Sequence, residues 1–311
     1  MPMIRKNIKA YVALVSLAVA SGLAFGGYQA GKYYLSLRQK QILFEKKKAA
    51  WNSLRAVLEN KVQSFNGELG IVIKDLDTNW EIDFNKDTLI PSASLVKIPI
   101  MLSYFYAAQE GKISFQDRLS LKGIDRVPGS KVLGDSPRGT VFAVEELLKP
   151  MITESDNTAA NALIDFLGFD TLHSYFEKLG LKNTNLSRKM MDFAKRKAGI
   201  ENYTTAQEMS SLLERIYRKT FLNQEASQKC LEILSQQKVN DRIPKKLPRG
   251  VLVAHKTGLE RQVCHDVGIV FTDKGNFLIC VLAKHQDKFA KASKNVISDI
   301  ALLTYNYYQS H

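Results

Sequence analysis

The sequence contains few cysteines and none of the common metal or nucleotide motifs. Cys230, Cys264 and Cys280 form no C-x-x-C pair, and their odd number does not fit a full disulfide framework. Zinc-ligand spacings and a G-x-x-x-x-G-K-[ST] loop are absent. We therefore expect no metal and no cofactor. Two of the thiols lie in apolar strand-like runs, where we expect them to pack as small hydrophobic groups.

The charge is unbalanced, because 44 Lys+Arg face 31 Asp+Glu and the formal net charge is +13. Such an excess suits nucleic acid, anionic lipid, an anionic wall polymer or solubility alone. The chain has no basic repeat interleaved with aromatic residues, so we expect no nucleic-acid partner. Its 311 residues, 45% of them hydrophobic and 24% charged, have the composition of a globular protein.

The amino end predicts a membrane anchor. Residues 10–31 carry no charge and follow the basic residues Arg5, Lys6 and Lys9. The stretch is long enough to cross a bilayer, which takes about 20 residues, whereas a signal-peptide core usually has about 7–15. We expect residues 1–31 to be a cytoplasmic start and an uncleaved transmembrane helix, although small residues within it leave cleavage open.

Residues 32–53 predict a helical stalk next to the membrane, since they are charged and carry apolar residues at roughly helical spacing. Their lysines could bind anionic lipid headgroups, each contributing about 1 kcal/mol. A solvated helical face is the alternative.

Residues 54–311 predict a single catalytic domain with strands near both ends and helices between them. Strands are expected at residues 69–76, 80–84, 251–255, 263–272 and 277–283, and helices at 94–110, 144–152, 158–167, 171–179, 205–217 and 289–308. This order predicts an α/β protein of the α+β kind: one antiparallel sheet built from both ends of the domain, flanked by helices, with an inserted all-helical lobe.

Ser94 and Lys97 form an S-x-x-K motif inside an apolar run. On a helix, positions i and i+3 share a face, so the Lys97 amine can lie against the Ser94 hydroxyl. A serine needs an adjacent base to become a nucleophile, and a lysine serves only if its pKa falls towards about 7–8. Apolar burial or a second cation can lower the pKa in this way. A second S-x-x-K, Ser235 to Lys238, has no apolar flank and is interpreted as a surface feature.

Two further motifs follow in order. Ser155-Asp156-Asn157 precedes a predicted helix, and Lys256-Thr257-Gly258 lies at the end of a predicted strand. Alone, the first would be interpreted as a helix N-cap. The ordered set S-x-x-K, S-D-N and K-T-G, however, resembles that of class A β-lactamases and penicillin-binding proteins. The resemblance extends from about Leu54 to the carboxyl end.

The resemblance implies an acyl-serine mechanism. Ser94 would attack a carbonyl carbon, and Lys97 would accept its proton. Lys256 would lower the pKa of Lys97 by repulsion and attract a substrate carboxylate. The other implied roles are a proton relay at Ser155, contact with the substrate amide or Lys97 at Asn157, carboxylate binding at Thr257, substrate contact at Gly258, and an oxyanion hole at the backbone N–H groups of Ser94 and Leu259.

The loop after Asn183 departs from class A β-lactamases, which carry there a glutamate and an asparagine that position the deacylating water. This sequence has no glutamate in the loop before Glu201, and Asp192 is the only nearby carboxylate. Asp192 is thus the candidate deacylation base, and an ion pair with Arg188 or Arg196 is its alternative. Because a positioned base contributes about 10²–10⁴ in rate, its loss would slow hydrolysis of the acyl-enzyme by that order.

We therefore expect a membrane-anchored serine hydrolase that opens a β-lactam or a related cell-wall amide. Its partners would be a β-lactam or a peptidoglycan stem peptide and, through the amino-terminal helix, the bacterial cytoplasmic membrane. The catalytic domain would lie outside that membrane, on a single transmembrane pass. The alternatives are a D-Ala-D-Ala carboxypeptidase that β-lactams trap, and a non-turnover sensor of β-lactam or peptidoglycan.

Overall fold

A computed structural model describes residues 2–121 and 126–310. The chain divides into two compact units, Met1–Ser53 and Leu54–His311. The side chains of residues 2–10, including the basic residues expected before the membrane span, lie outside the described part.

Residues 2–53 of the first unit are helical and belong to the long helix α1 (Pro2–Ser64). From Tyr11 onward this helix contains a window of mean hydropathy 1.6 with no buried residue. By length and composition it could cross a membrane, a test that a signal sequence also passes.

The second unit combines one large sheet with helices. Its further helices are α2 (Lys97–Gln109), α3 (Val144–Thr153), α4 (Asn157–Leu167), α5 (Phe169–Lys178), α6 (Phe193–Lys197), α7 (Ala206–Tyr217), α8 (Gln224–Ser235) and α9 (Lys291–Ser310). Its strands are β1 (Gly67–Asp75), β2 (Glu81–Phe84), β3 (Ile90–Pro91), β4 (Arg118–Ser120), β5 (Val141–Ala143), β6 (Tyr203–Thr204), β7 (Val253–Glu260), β8 (Val263–Val270) and β9 (Phe277–His285).

The main sheet has the strand order β2-β1-β9-β8-β7, and every neighbouring pair is antiparallel. Strands from the two ends of the domain meet where β1 pairs with β9. This confirms the predicted α+β fold with a sheet built from both termini. The strand β7, which carries the K-T-G motif, lies at one edge of the sheet.

Burial on both faces explains why the strands are continuous apolar runs. All eight residues of β8 are buried, as are the first seven of β9. A sheet with one solvated face would instead alternate apolar and polar residues. Helix α7 packs against β1 and β9, and α9 packs against β8 and β9. The Tyr308 hydroxyl of α9 also donates to Asp75 Oδ2 of β1 at 2.8 Å.

Several elements differ from the expectations. The short strands β3, β4, β5 and β6 and the short helix α6 were not expected. The helix α8 was not expected, because its buried positions are mostly small or polar and give little apolar periodicity: Ala226, Ser227, Cys230 and Leu234. The strand β7 continues to Glu260, so the K-T-G motif lies inside the strand rather than at its end. The helix expected from residue 94 begins as a 3-10 turn and becomes α-helical at Lys97, which places Pro99 in the first turn, where no N–H is needed.

Candidate active site

Ser94 lies at the start of a helix with a strained first turn. It belongs to the 3-10 turn Ala93–Val96, and Ala93 has a φ of 46°, a left-handed conformation that is costly for a residue other than glycine. The first hydrogen bond of the turn runs from Leu95 N–H to the Ser92 carbonyl at 2.9 Å. The Ser94 N–H therefore precedes the hydrogen-bonded part of the helix, where such groups remain open to other acceptors.

Ser94 lines a cavity of about 40 Å³. The other residues of this cavity come from separate parts of the domain: Ala93, Asn157, Arg188, Met190, Met191, Asn202, Leu259 and Glu260. Leu259 thus faces the same cavity as Ser94, as an oxyanion hole built from their two N–H groups requires.

The amine of Lys97 points to the S-D-N motif. It is buried and donates to the Ser155 carbonyl at 2.7 Å, to Asn157 Oδ1 at 2.7 Å and to Ser155 Oγ at 3.3 Å. These three acceptors can use every donor that a lysine head group has. The direct contact with the Ser94 hydroxyl that we expected from the i, i+3 spacing is therefore replaced by contacts with Ser155 and Asn157.

Asp156 organises the helix start next to this amine. Its Oδ1 accepts the Ala159 N–H at 2.9 Å, which caps α4. Its Oδ2 accepts the N–H groups of Val132 and Leu133 at 2.9 and 3.0 Å. The N-cap interpretation of the motif thus holds for Asp156, while its neighbours on either side face Lys97.

Ser155 and Asn157 are held by backbone conformation and by a nearby loop. Ser155 has a φ of 58°, again in the left-handed region. Asn157 Nδ2 donates to the Pro128 carbonyl at 2.8 Å, which fixes the amide so that its Oδ1 faces Lys97. A Cβ at Gly129, whose φ is +76°, would lie 2.6 Å from that Nδ2, so this loop position needs glycine.

Lys256 reaches the same hydroxyl from the sheet. Its buried amine donates to Ser155 Oγ at 2.9 Å and to the Thr257 carbonyl at 2.8 Å. Ser155 Oγ therefore lies between the amines of Lys97 and Lys256. The structure brings the three motifs together, as the sequence predicted.

Burial shifts the titration of both amines. It lowers the pKa of Lys97 to about 7, with the nearby Asp156 carboxylate opposing the shift. Burial also lowers the pKa of Lys256 well below its usual value, and repulsion from Lys97 and Arg242 adds to this effect. A neutral Lys97 can therefore exist near pH 7 and accept a proton.

Gly258 allows β7 to approach the segment before Ser94. A Cβ there would lie 3.0 Å from His265 Cδ2 and 3.3 Å from the Ser92 carbonyl oxygen. His265 Nδ1 accepts the Ala283 N–H, so the proton is on Nε2, which donates to the Pro91 carbonyl at 2.8 Å. Burial lowers the pKa of His265 to about 4, so this bridge is neutral near pH 7.

A buried group that interacts with Lys256 was not expected from the sequence. Asp266 Oδ1 lies 2.8 Å from His255 Nδ1, and Arg242 Nε donates to Cys264 Sγ at 3.2 Å. Asp266 raises the pKa of Lys256, whereas Arg242 lowers it. The sequence signal for this group was the adjacent polar residues His265 and Asp266 inside an apolar strand. The contact between Arg242 and Cys264 gave no local signal, since these residues are 22 positions apart.

An ion-pair cluster closes one side of the Ser94 cavity. Arg188, 3% exposed, contacts Glu201 Oε1 at 2.7 Å and Glu260 Oε1 at 2.9 Å. Arg196 contacts Glu260 at 2.9 Å and Glu201 at 3.5 Å. The cluster joins the loop of residues 182–204 to the end of β7 and was not expected from the sequence.

The ion pair between Asp192 and Arg188 or Arg196, which was the alternative role for Asp192, does not form. Both arginines bind Glu201 and Glu260 instead, and Asp192 caps α6 by accepting the Lys195 N–H at 3.0 Å. Asp192 is not among the residues that line the Ser94 cavity. Its role as deacylation base stays a prediction.

Two methionines of the loop line the Ser94 cavity instead. Met190 is buried, and its backbone is clamped by Asn161, which accepts the Met190 N–H at 2.8 Å and donates to its carbonyl at 3.0 Å. Met191 has a φ of 64°. The loop thus contributes two methionines to the cavity that Ser94 lines, and the one carboxylate among its described lining residues, Glu260, is bound to two arginines.

The chain matches a family described as the beta-lactamase enzyme family over residues 50–308. It is 26% identical to β-lactamase VEB-1 of Pseudomonas aeruginosa over 84% of this chain and 92% of that protein. A β-lactamase structure from Sphaerobacter thermophilus DSM 20745 has 29% identity and a TM-score of 0.76, covering 83% of this chain and 97% of its own.

A second solved relative is PBP-A, a point mutant of which was solved as an acyl-enzyme complex with penicillin G. That structure has 26% identity and a TM-score of 0.75, and the match covers 84% of this chain and 97% of that chain.

We expect Asp156→Ala to lower the free energy of unfolding by about 3 kcal/mol, because it removes a helix cap and leaves further N–H groups without an acceptor. Urea-induced loss of near-ultraviolet circular dichroism measures the change. The matched control is Asp135→Ala, an exposed aspartate of the neighbouring loop, which should shift stability by no more than about 0.5 kcal/mol. Equal effects of the two variants would contradict the role assigned to Asp156.

Proposed function

Because the chain belongs to the beta-lactamase enzyme family, we propose that it opens the β-lactam ring through an acyl-enzyme on Ser94. It is a serine hydrolase of the β-lactamase type. The observation that carries the proposal is the convergence of the Lys97 and Lys256 amines on Ser155 Oγ, next to the cavity that Ser94 lines.

The proposed proton path begins with Lys97. Once neutral, its amine has only two N–H donors and a lone pair, so it gives up one of its three acceptors and turns towards Ser94. It takes the proton of Ser94 as the serine oxygen bonds to the carbonyl carbon, and the negative oxygen is held by the N–H groups of Ser94 and Leu259. As the carbon–nitrogen bond breaks, the Ser155 hydroxyl passes a proton to the leaving nitrogen. Ser155 is reprotonated from Lys97 or Lys256, both within hydrogen-bond distance.

The substrate carboxylate is expected at Lys256 and Thr257. An arriving anion favours the protonated form of Lys256 and so offsets the effect of burial on its pKa. Binding would thereby keep Lys97 neutral, because two charged amines around a single hydroxyl repel each other. Asn157 holds Lys97 in place through Oδ1.

Release of the acyl group is expected to be slow. The cavity next to Ser94 is lined by Met190 and Met191, and the Glu260 carboxylate is engaged by Arg188 and Arg196 rather than free to hold a water molecule. This observation favours a second candidate function, a D-Ala-D-Ala carboxypeptidase that β-lactams trap as a persistent acyl-enzyme. A point mutant of the relative PBP-A was solved as an acyl-enzyme complex with penicillin G.

We also propose that α1 anchors the protein in the cytoplasmic membrane with the catalytic domain outside, where wall peptides and β-lactams are found. The support is the length and hydropathy of the helix from Tyr11 onward and the basic residues that precede it.

Ser94→Ala should abolish the covalent adduct that forms with benzylpenicillin, because the variant has no nucleophile. Mass spectrometry of the intact protein after penicillin treatment measures the adduct. Ser235→Ala, in the second S-x-x-K of the chain, is the control and should keep full labelling. An adduct that survives in Ser94→Ala would refute the assignment.

Met190→Glu should speed loss of the benzylpenicillin adduct by about tenfold or more, because it adds a carboxylate near the acyl group, and a well-positioned base contributes about 10²–10⁴. The decay of the adduct mass after removal of free penicillin gives the rate.

Met190→Gln controls for size and polarity and should leave the decay unchanged. Equal acceleration in both variants would exclude the base effect. In the same assay Asp192→Asn decides the role of Asp192, since asparagine keeps the helix cap but removes the carboxylate. Slower decay would identify Asp192 as the base, and unchanged decay would leave it a helix cap only.

The anchor is tested with the full chain carrying a carboxyl-terminal tag. We expect the protein in the membrane fraction, extracted only by detergent, with the mass of the uncleaved chain. Removal of residues 1–31 should make it soluble. A soluble protein that has lost its amino-terminal residues would show a cleaved signal sequence instead.

A further inference from the structure

Asp266 is a fully buried carboxylate on β8, the strand next to the K-T-G motif. Its Oδ1 lies 2.8 Å from His255 Nδ1, and its Oδ2 accepts the Ile243 N–H at 3.0 Å. In the register of β7 and β8 it lies directly opposite Thr257. Directly opposed side chains of antiparallel strands project from the same face, with Cβ atoms about 4.5–5.5 Å apart. The Asp266 carboxylate and the Thr257 side chain are therefore neighbours.

This position of Asp266 opposes the proposed binding of a substrate carboxylate at Thr257. Two negative groups a few ångströms apart repel each other strongly where water is excluded. A buried carboxylate is also costly unless a positive group pairs with it. Binding of an anionic substrate therefore requires a cation that neutralises Asp266.

The cations Arg242 and Lys294 are both bound to another carboxylate. Arg242 Nη1 lies 3.0 Å from Asp241 Oδ1, and the Lys294 amine of α9 lies 2.8 Å from Asp241 Oδ2. The Arg242 guanidinium also donates from Nε to Cys264 Sγ at 3.2 Å. These two cations therefore compensate Asp241 first.

The other titratable groups packed around β7 do not neutralise Asp266 either. The Lys256 amine donates to Ser155 Oγ, and burial lowers its pKa well below the usual value. Helix α8 also packs against β7, and the titratable group that it buries is the Cys230 thiol, whose pKa is raised by burial. Among the basic side chains that the structure describes, His255 is the one that forms a hydrogen bond with Asp266.

The surroundings of His255 favour a positively charged ring. The side chain is 1% exposed, and its Nδ1 faces the Asp266 carboxylate. Its Nε2 lies 3.1 Å from Asn240 Oδ1, so both ring nitrogens face oxygen acceptors. An imidazole that donates from both nitrogens carries two ring protons and a positive charge.

We propose that His255 is a positively charged positioning residue, which neutralises Asp266 and so allows Thr257 and Lys256 to bind a substrate carboxylate. The inference rests on the proposed acylation of Ser94 and deepens it, because it identifies the buried pair that adapts the same site to anionic substrates. Without the charge on His255, Asp266 repels the substrate carboxylate.

The test uses the full chain, a cephalosporin with a free C4 carboxylate, and the C4 methyl ester of the same compound. The measured quantity is the rate constant for acylation of Ser94 by the acid divided by that for the ester. His255→Asn keeps a donor towards Asp266 but removes the charge. We expect this ratio to fall about tenfold, because an uncompensated carboxylate then lies beside that of the substrate. Adding Asp266→Asn removes both charges of the pair and should return the ratio to within about twofold of the original value.

The matched control is His173→Asn, which removes an imidazole that contacts the Leu186 carbonyl and should keep the ratio. Circular dichroism checks that each variant is folded. An unchanged ratio in His255→Asn would overturn the inference. A ratio that stays low in the double variant would also overturn it, because the pair would then act only through the fold.

The charge on His255 is measured directly by ¹⁵N NMR of the unmutated protein, labelled at its five histidines. His255→Asn assigns the signals of this ring. We expect both ring nitrogens to be protonated at pH 7, and a ring with a single protonated nitrogen would overturn the proposal.

Calorimetric binding of the acid and the ester to Ser94→Ala separates this inference from the proposed function. A preference for the acid that falls when His255→Asn is added supports the inference, even if Ser94 is never acylated. A preference that does not change, including equal weakening of both compounds, overturns it even if Ser94 is acylated by both.

Discussion

The hydroxyl of Ser155 lies between two lysine amines that are both withdrawn from water, at 3.3 Å from Lys97 and 2.9 Å from Lys256. Lys97 comes from the start of α2 and Lys256 from the edge strand β7, so the contact exists only when the helical lobe and the sheet are both assembled. Sheet formation from the two ends of the domain is therefore a condition for the chemistry. The fold positions the site through this contact.

Burial of two amines is costly, and the structure limits the cost in two ways. Each amine donates only to oxygen atoms, and burial lowers both pKa values so that charge can be lost rather than retained. The left-handed backbone conformations of Ala93, which precedes Ser94, and of Ser155 add strain at the site. The surrounding packed core, which includes Leu95, Val96 and Ala159, holds these conformations in place.

Features encoded by adjacent residues were predictable from the sequence. The buried strands β8 and β9 are long apolar runs, and each of the three motifs is short, so their order and chemistry could be recognised. Contacts between distant residues were not predictable. Arg188 pairs with Glu260, which is 72 positions away and is not indicated by any local spacing. Asp192 therefore does not pair with Arg188 and instead caps a helix. The acceptors of the Lys97 amine were not predictable either, because Ser155 and Asn157 lie 58 and 60 positions along the chain.

The central claim is that Lys97 is a buried amine whose neutral form activates Ser94. The most direct measurement is the rate of acylation of Ser94 by benzylpenicillin at subsaturating concentration as a function of pH, with circular dichroism showing that the protein remains folded. Because the base must be neutral, a pKa of about 7 predicts a rate that rises about tenfold per pH unit below pH 7 and levels off above it. A rate that does not change between pH 5 and 8 would contradict the account.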